Sequence, residues 1–210
     1  RQRLLTGDVR FPAFDAPWQE VKIGDLLKRV RRYVDWDDDA RYDLISIKRD
    51  SGGMEYREFL YGHQIRVKKL NTLREGDFVI SRMQVVHGAT AYVPEEFDGY
   101  HASDSYYIMV PKKGAPIDTE FFSELSKLPY MYHLAYTSSY GVHIEKMTFN
   151  PDLYFMSTVR IPPTVEEQQK IVSFLHKAER EIDQLRALRA ARARQKKGLM
   201  QRLLTGEVRV

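Results

Sequence analysis

Residues 161–210 read IPPTVEEQQKIVSFLHKAEREIDQLRALRAARARQKKGLMQRLLTGEVRV, and this stretch decides the architecture. Pro162-Pro163 keeps a helix from starting earlier. Thr164-Val165-Glu166-Glu167 then carries the T-x-x-E pattern of a capping box, in which the hydroxyl and the carboxylate each satisfy an orphan backbone N–H. The spacing predicts a helix over 164–204 that Gly206 stops, about 40 residues or about 60 Å at 1.5 Å each. Along it Ile171, Leu175, Ala178, Ile182 and Leu185 alternate steps of four and three residues, a narrow coiled-coil seam. The seam then shifts through Leu188 and Ala191 and resumes at Leu199 and Leu203, like a stutter. A lone helix cannot bury such a seam, so a partner helix is expected, packed antiparallel if two copies meet about a two-fold axis.

Working outward, the end of this stretch repeats the start of the chain. Residues 1–11, RQRLLTGDVRF, match residues 200–210, MQRLLTGEVRV, at eight of eleven positions. The sequence thus runs from the end of one repeat unit to the end of the next. A modular parent is expected, either a tandem of such units or one unit that pairs with its copy. The chain begins with Arg rather than Met, which suggests a piece of something longer. Three segments follow: 1–12 as the end of a preceding repeat, 13–160 as a globular domain and 161–210 as a spacer helix.

Residues 13–160 mix two periodicities. The runs 42–48, 76–86, 105–110 and 156–161 are rich in β-branched and aromatic residues and read as strands. Residues 23–30 and 118–128 read as short amphipathic helices, the second stopped by Pro129. The fold class expected is α+β, a mixed domain followed by the long helix.

Composition bounds the function. Hydrophobic residues make up 43% of the 210 residues, enough for a core, and there is no Cys, which excludes disulfides, thiolate zinc sites and a cysteine nucleophile. A reducing, cytoplasmic compartment fits, and no apolar run approaches a membrane span. The net charge of +4 is uneven. Residues 161–210 hold 11 Lys/Arg against six acids, whereas 13–160 hold 19 against 22. Charge alone therefore does not argue for nucleic acid; a basic helix face is usually just solvated.

Catalytic motifs are missing. The histidines (His63, His87, His101, His133, His143, His176) lack metal-site spacing, and there is no phosphate loop, dinucleotide fingerprint or nucleophile elbow. Asn150-Pro151-Asp152-Leu153-Tyr154 has one residue too many for an adenine-methyltransferase motif and reads as a turn before a strand. The acidic run Asp35-Trp36-Asp37-Asp38-Asp39 reads as a solvated loop. No catalytic residue, metal or cofactor is expected.

Taken together, the ends and the start of the helix resemble the specificity subunit of type I restriction-modification systems. Residues 160–172, RIPPTVEEQQKIV, resemble the family's I-P-P-x-x-E-Q-x-x-I opening of a conserved-region helix, and residues 197–206, KGLMQRLLTG, its closing K-x-G-L-x-Q-x-L-L-T-G. More loosely, residues 21–26, VKIGDL, resemble the start of a target-recognition domain, and residues 75–83, EGDFVISRM, its central strand. The resemblance covers the whole chain. It implies a subunit with two recognition domains and two spacer helices, of which this chain holds one each, reading half of a bipartite site. The implied partners are double-stranded DNA, the modification (methyltransferase) subunit, the restriction subunit, and a second copy or another specificity half. Catalysis would belong to those subunits. The competing reading is a non-catalytic coiled-coil scaffold or protein-interaction module.

For DNA reading, polar loops of residues 45–145 are the expected source, since Arg pairs with guanine, Gln with adenine, and Lys with phosphate. The candidates are Lys48, Arg49, Arg57, Arg82, Gln84, His87, Lys112, Lys113, Ser138, Ser139, Tyr140 and His143. Arg82 is the sharpest, following the central strand and preceding Gly88-Ala89-Thr90; its structural alternative is a salt bridge to Asp77 or to a neighbouring strand.

Overall fold

A computed structural model describes residues 1–208, which fall into two compact units, one spanning Arg1–Ile171 and the other beginning at Val172. The first unit holds an α+β domain. A short helix α1 (Gln2–Leu5) leads to β1 (Gln19–Lys22), a single helical turn α2 (Ile23–Leu26), β2 (Leu27–Val30), β3 (Arg41–Ile47), β4 (Met54–Tyr61), β5 (Leu70–Thr72), β6 (Phe78–Ser81), β7 (Thr90–Tyr92), β8 (His101–Ser103) and β9 (Tyr106–Pro111). Then come α3 (Thr119–Leu125), α4 (Pro129–Thr137), β10 (Ser139–Tyr140), β11 (Thr148–Phe149), α5 (Pro151–Met156), β12 (Thr158–Ile161) and the long helix α6 (Val165–Leu204).

Two four-stranded sheets run in the orders β2-β9-β6-β7 and β4-β3-β8-β5. Strand β6, Phe-Val-Ile-Ser, is buried along its whole length, so it reads as an apolar run rather than an alternation. Its Val79 joins Ala91 and Ile108 of the same sheet to Ile45, Ile47 and Ala102 of the other, in one core cluster. Its Phe78 meets Phe122 of α3 edge to face, with ring centroids 5.1 Å apart. The central strand is thus covered on both sides, and the remaining elements are anchored to it.

The helix expected over 23–30 is half strand. After one turn the chain extends, and Leu27 to Val30 pair antiparallel with Pro111 to Ile108. A short amphipathic stretch fits either period, and the waiting edge of β9 decides it. The strand expected over 76–86 is confined to β6; residues Val85–His87 form a 3-10 turn that Gly88 ends at φ +71°. Pro129 does not stop α3, which already ends at Leu125. It occupies the first turn of α4, where its missing N–H costs nothing. Asn150 is more than a turn: its side chain accepts from Asp152 N at 3.0 Å and caps α5.

The long helix begins one residue inside the expected span, and its cap is only half formed. Thr164 Oγ1 accepts from Glu167 N at 3.4 Å. The Glu167 carboxylate, however, accepts from Arg10 Nε and Nη2 at 2.9 Å each and from Trp18 Nε1 at 3.1 Å. Beside it Gln168 accepts from Asp118 N and donates to Pro116 O and Pro162 O. The first compact unit therefore extends past residue 160 and includes the first turns of α6. Ile171 is buried in it at 2% exposure.

Within the second unit α6 continues as a single helix. Leu175 is buried and Ala178 half-buried, whereas Ile182, Leu185, Leu199 and Leu203 are 45–59% exposed. Only the seam from Ile182 onward is open; Ile171 and Leu175 are already covered in the single chain, and this corrects the expectation of one uniform partner-facing stripe.

Candidate nucleic-acid interface

Three segments distant in sequence build one face of the domain. The first is the turn between β3 and β4, where Asp50 and Ser51 adopt left-handed φ values of 56° and 54°. Non-glycine residues rarely hold this conformation, and here hydrogen bonds impose it. Asp50 N donates to His87 O at 2.7 Å, Ser51 N donates to Gly88 O at 3.0 Å, and Ser51 Oγ lies 2.7 Å from Tyr132 Oη. The second segment is thereby identified as residues 82–88. Gly88 is required there, because a Cβ would sit 2.0 Å from Tyr132 Oη.

The third segment is the hairpin of β10 and β11. Phe149 N donates to Arg82 O at 3.0 Å, and Asn150 N to Ser138 O at 2.8 Å, which lays the hairpin beside residues 82–84. Its tip, residues 141–146, is exposed throughout, yet Glu145 reaches back: its Oε2 lies 2.8 Å from Arg49 Nη2 and its Oε1 3.2 Å from His87 Nε2. The hydrogen bond from Arg49, with the nearby charges of Arg49, His87 and His143, holds the Glu145 carboxyl below the usual carboxylate range.

Of the sequence candidates, Arg49, Arg82, Gln84, His87, Ser139, Tyr140 and His143 are assembled on or around this face. Arg82 is exposed and has no side-chain partner among the described residues. Its expected alternative, Asp77, is instead buried and bound by Arg32 at 2.6 and 2.9 Å. Gln84 Oε1 is buried and has no hydrogen-bond partner. Tyr140 is 60% exposed, while Ser139 Oγ donates to Ala135 O and His143 Nδ1 accepts from Glu145 N.

The other candidates lie elsewhere or are occupied. Lys48 stands at the root of the turn, paired with Glu55 at 2.7 Å. Ser138 is 2% exposed and presents no surface to a duplex. Arg57 is the extra residue of a bulge in β4, since Tyr56 pairs with Ile45 and Glu58 with Leu44, and its Nε lies 2.9 Å from Glu58. Lys112 and Lys113 follow β9 at the end paired with Leu27, whereas its start, Tyr106, pairs with Ser81. A six-residue strand at about 3.4 Å per residue separates them from Arg82 by roughly 20 Å.

Sequence reasoning missed Asp50, Ser51, Tyr132 and Glu145. Nothing local marks them, because Ser51 meets Tyr132 across 81 positions and Arg49 meets Glu145 across 96. The tyrosines of α4 were the available signal, since Tyr132 and the exposed Tyr136 follow Pro129 at helical spacing. Among the described residues no group of three or more His, Asp or Glu is placed to hold a metal ion, and no helix is long and apolar enough to cross a membrane.

An α+β domain joined to a long helix is a fold similar to that of solved specificity subunits. The HsdS subunit from Thermoanaerobacter tengcongensis superposes with a TM-score of 0.70 at 19% identity, covering 90% of this chain and 48% of that one. A chain from a structure of complex assembly and conformational transition in the type I R-M system gives 0.68 at 18%, covering 93% and 50%. The S subunit from M. genitalium gives 0.56 at 12%, covering 96% and 51%. This chain spans about half the length of each. No curated protein sequence matches it. The family described as the type I restriction modification DNA specificity domain matches residues 16–191, and the chain belongs to that family.

Proposed function

We propose that this chain reads one half of a bipartite DNA site within a type I restriction-modification complex, without catalytic chemistry of its own. The observation that carries the reading is the convergence of Arg49, Arg82, Gln84, His87, Tyr140 and His143, from three segments, on one face where Arg82 is left unpaired. Arg82 supplies a bidentate donor for a guanine edge or a phosphate, Gln84 an amide N–H donor, and Tyr140 a stacking or apolar contact. Glu145 neutralises Arg49 in the free protein and yields to DNA phosphate.

The long helix spaces this domain from a second one, on a second copy or another specificity half, through the open seam at Ile182, Leu185, Leu199 and Leu203. An antiparallel pairing gives an interrupted site, palindromic for a homodimer. The modification subunit, which transfers methyl groups, and the restriction subunit, which cleaves, dock on this assembly in the cytoplasm.

The test is to assemble the methyltransferase complex with Arg82→Ala and sequence its methylated sites. A base contact predicts that DNA affinity falls by about 1–3 kcal/mol and that one position of the half-site relaxes. A phosphate contact predicts uniform weakening and a shallower salt dependence. If affinity and methylated sequence are both unchanged, Arg82 plays no part in recognition.

A further inference from the structure

The two ends of the chain share more than their sequence. Thr6 N donates to Gln2 O and Thr205 N to Gln201 O, both at 2.9 Å. Thr6 Oγ1 donates to Gln2 O and Arg3 O at 3.1 and 3.4 Å, and Thr205 Oγ1 to Gln201 O and Arg202 O at 3.0 and 3.2 Å. Gly7 and Gly206 follow at φ +79° and +76°, and Val9 N and Val208 N return to Arg3 O and Arg202 O. Each copy is thus the same helix end in geometry, capped by its threonine and a left-handed glycine.

Their surroundings differ. In the N-terminal copy Leu5 is 1% exposed, and the hydrogen side of Gly7 faces Trp18 so closely that a Cβ would lie 3.1 Å from the indole. Arg10 forks onto Glu167, whose carboxylate also holds Trp18 Nε1, and Arg1 reaches Glu124 at 3.1 Å. In the C-terminal copy Leu204, the counterpart of Leu5, is 84% exposed. Arg209, the sequence counterpart of Arg10, lies outside the described residues. One copy sits in a fitted seat, and the other presents the same shape with its leucine open to solvent.

We propose that the seat formed by Trp18 and Glu167 is a receptor for the R-L-L-T-G helix end, and that its second occupant is the C-terminal copy of another molecule of this chain, in which Met200 stands where Arg1 meets Glu124. The shared cap geometry means the incoming segment is already ordered, so little conformational entropy is lost on docking. Seat and ligand together join the units head to tail, the end of one spacer helix sitting at the base of the next recognition domain. This exchange does not depend on what the polar face reads. The tethered N-terminal copy competes at an effective concentration of about a millimolar, so it must be released before the seat is open to another chain.

A protease site inserted at the exposed residues 15–17 of the full chain tests this, because cleavage leaves the N-terminal segment held without a tether. A labelled peptide of residues 198–210 should bind the cleaved protein saturably and displace the N-terminal segment. Binding to the uncut chain should be weaker, by about the ratio of that millimolar effective concentration to the N-terminal segment's own dissociation constant. The Leu204→Asp peptide should not bind. As a second route, full-length chain carrying Leu5→Asp and Arg10→Ala should take up the same peptide. Failure of the peptide, in millimolar excess, to enter the seat of the cleaved protein overturns the proposal, as does equal binding by the Leu204→Asp peptide. DNA binding, measured in parallel, reports separately on the recognition face.

Discussion

Arg10 and Glu167, 157 positions apart, form a two-pronged ion pair in which both guanidinium donors lie 2.9 Å from the carboxylate oxygens. The pair ties the N-terminal segment to the first turn of α6, and the bond to Glu167 raises the Arg10 pKa further above its already high value. Its two members are unequally buried: the Glu167 side chain is 2% exposed and that of Arg10 22%.

That inequality sets the first prediction. Arg10→Ala leaves a buried carboxylate with Trp18 as its remaining side-chain donor, whereas Glu167→Gln leaves an arginine that can turn to water. Removing one member of a pair is most costly when the charge left behind is buried. Arg10→Ala should therefore cost more stability than Glu167→Gln in urea unfolding. Equal losses, or a larger loss for Glu167→Gln, would contradict this account.

Gly88 and Gly206 test the role of space against conformation. Both have positive φ, near +71° and +76°, but a Cβ at Gly88 collides with Tyr132 whereas none is met at Gly206. Gly206→Ala should cost about 1 kcal/mol, the left-handed penalty alone. Gly88→Ala should cost over about 2 kcal/mol and move Tyr132 off Ser51. Denaturant midpoints and the Tyr132 ring resonances report each part.

Glu145 carries a pH prediction. Its pKa is lowered in the folded protein, so the carboxylate tether to Arg49 is present above the unfolded glutamate value of about 4.3. It is lost as pH falls through the lowered folded value. A carboxyl-carbon NMR titration should place the Glu145 midpoint below about 4.3. Glu145→Ala should free Arg49 and His87 and tighten DNA binding a few-fold at low salt, by roughly one screened ion pair's worth. A midpoint at or above the ordinary value sinks the tether.

The spacing role of α6 is open to a length test. Deleting seven residues between Leu185 and Leu199 should shorten the helix by about 10 Å. That equals about three base pairs at 3.4 Å each, so the methylated half-sites should move closer by that amount with their sequences intact. Unchanged spacing in an active complex rules the ruler out. Separately, if the proposed pairing of two copies holds, Ile182→Asp and Leu185→Asp should shift sedimentation toward the monomer while leaving the first unit's melting unchanged, since both are exposed.

Much of the architecture was written in local sequence. The helix over residues 165–204, its glycine stop, the α3 helix and the cores of β3, β6, β9 and β12 follow from periodicity, caps and β-branched runs, which act over a few residues. The repeated R-L-L-T-G ends were likewise legible, because the same eight residues impose the same cap twice. What tertiary structure alone decided is where partners from far along the chain meet. It turned residues 27–30 into a strand at the edge of β9, took Glu167 from its cap to Arg10 and Trp18, and moved Arg32 rather than Arg82 onto Asp77. It also divided the candidate DNA contacts, gathering Arg49, Arg82 and His87 while placing Lys112 and Lys113 at the far end of β9. The physical reason is one of range: backbone preference and capping are settled within a helical turn, whereas ion pairs and buried carboxylates are settled by whichever oppositely charged group the folded chain brings within 3 Å.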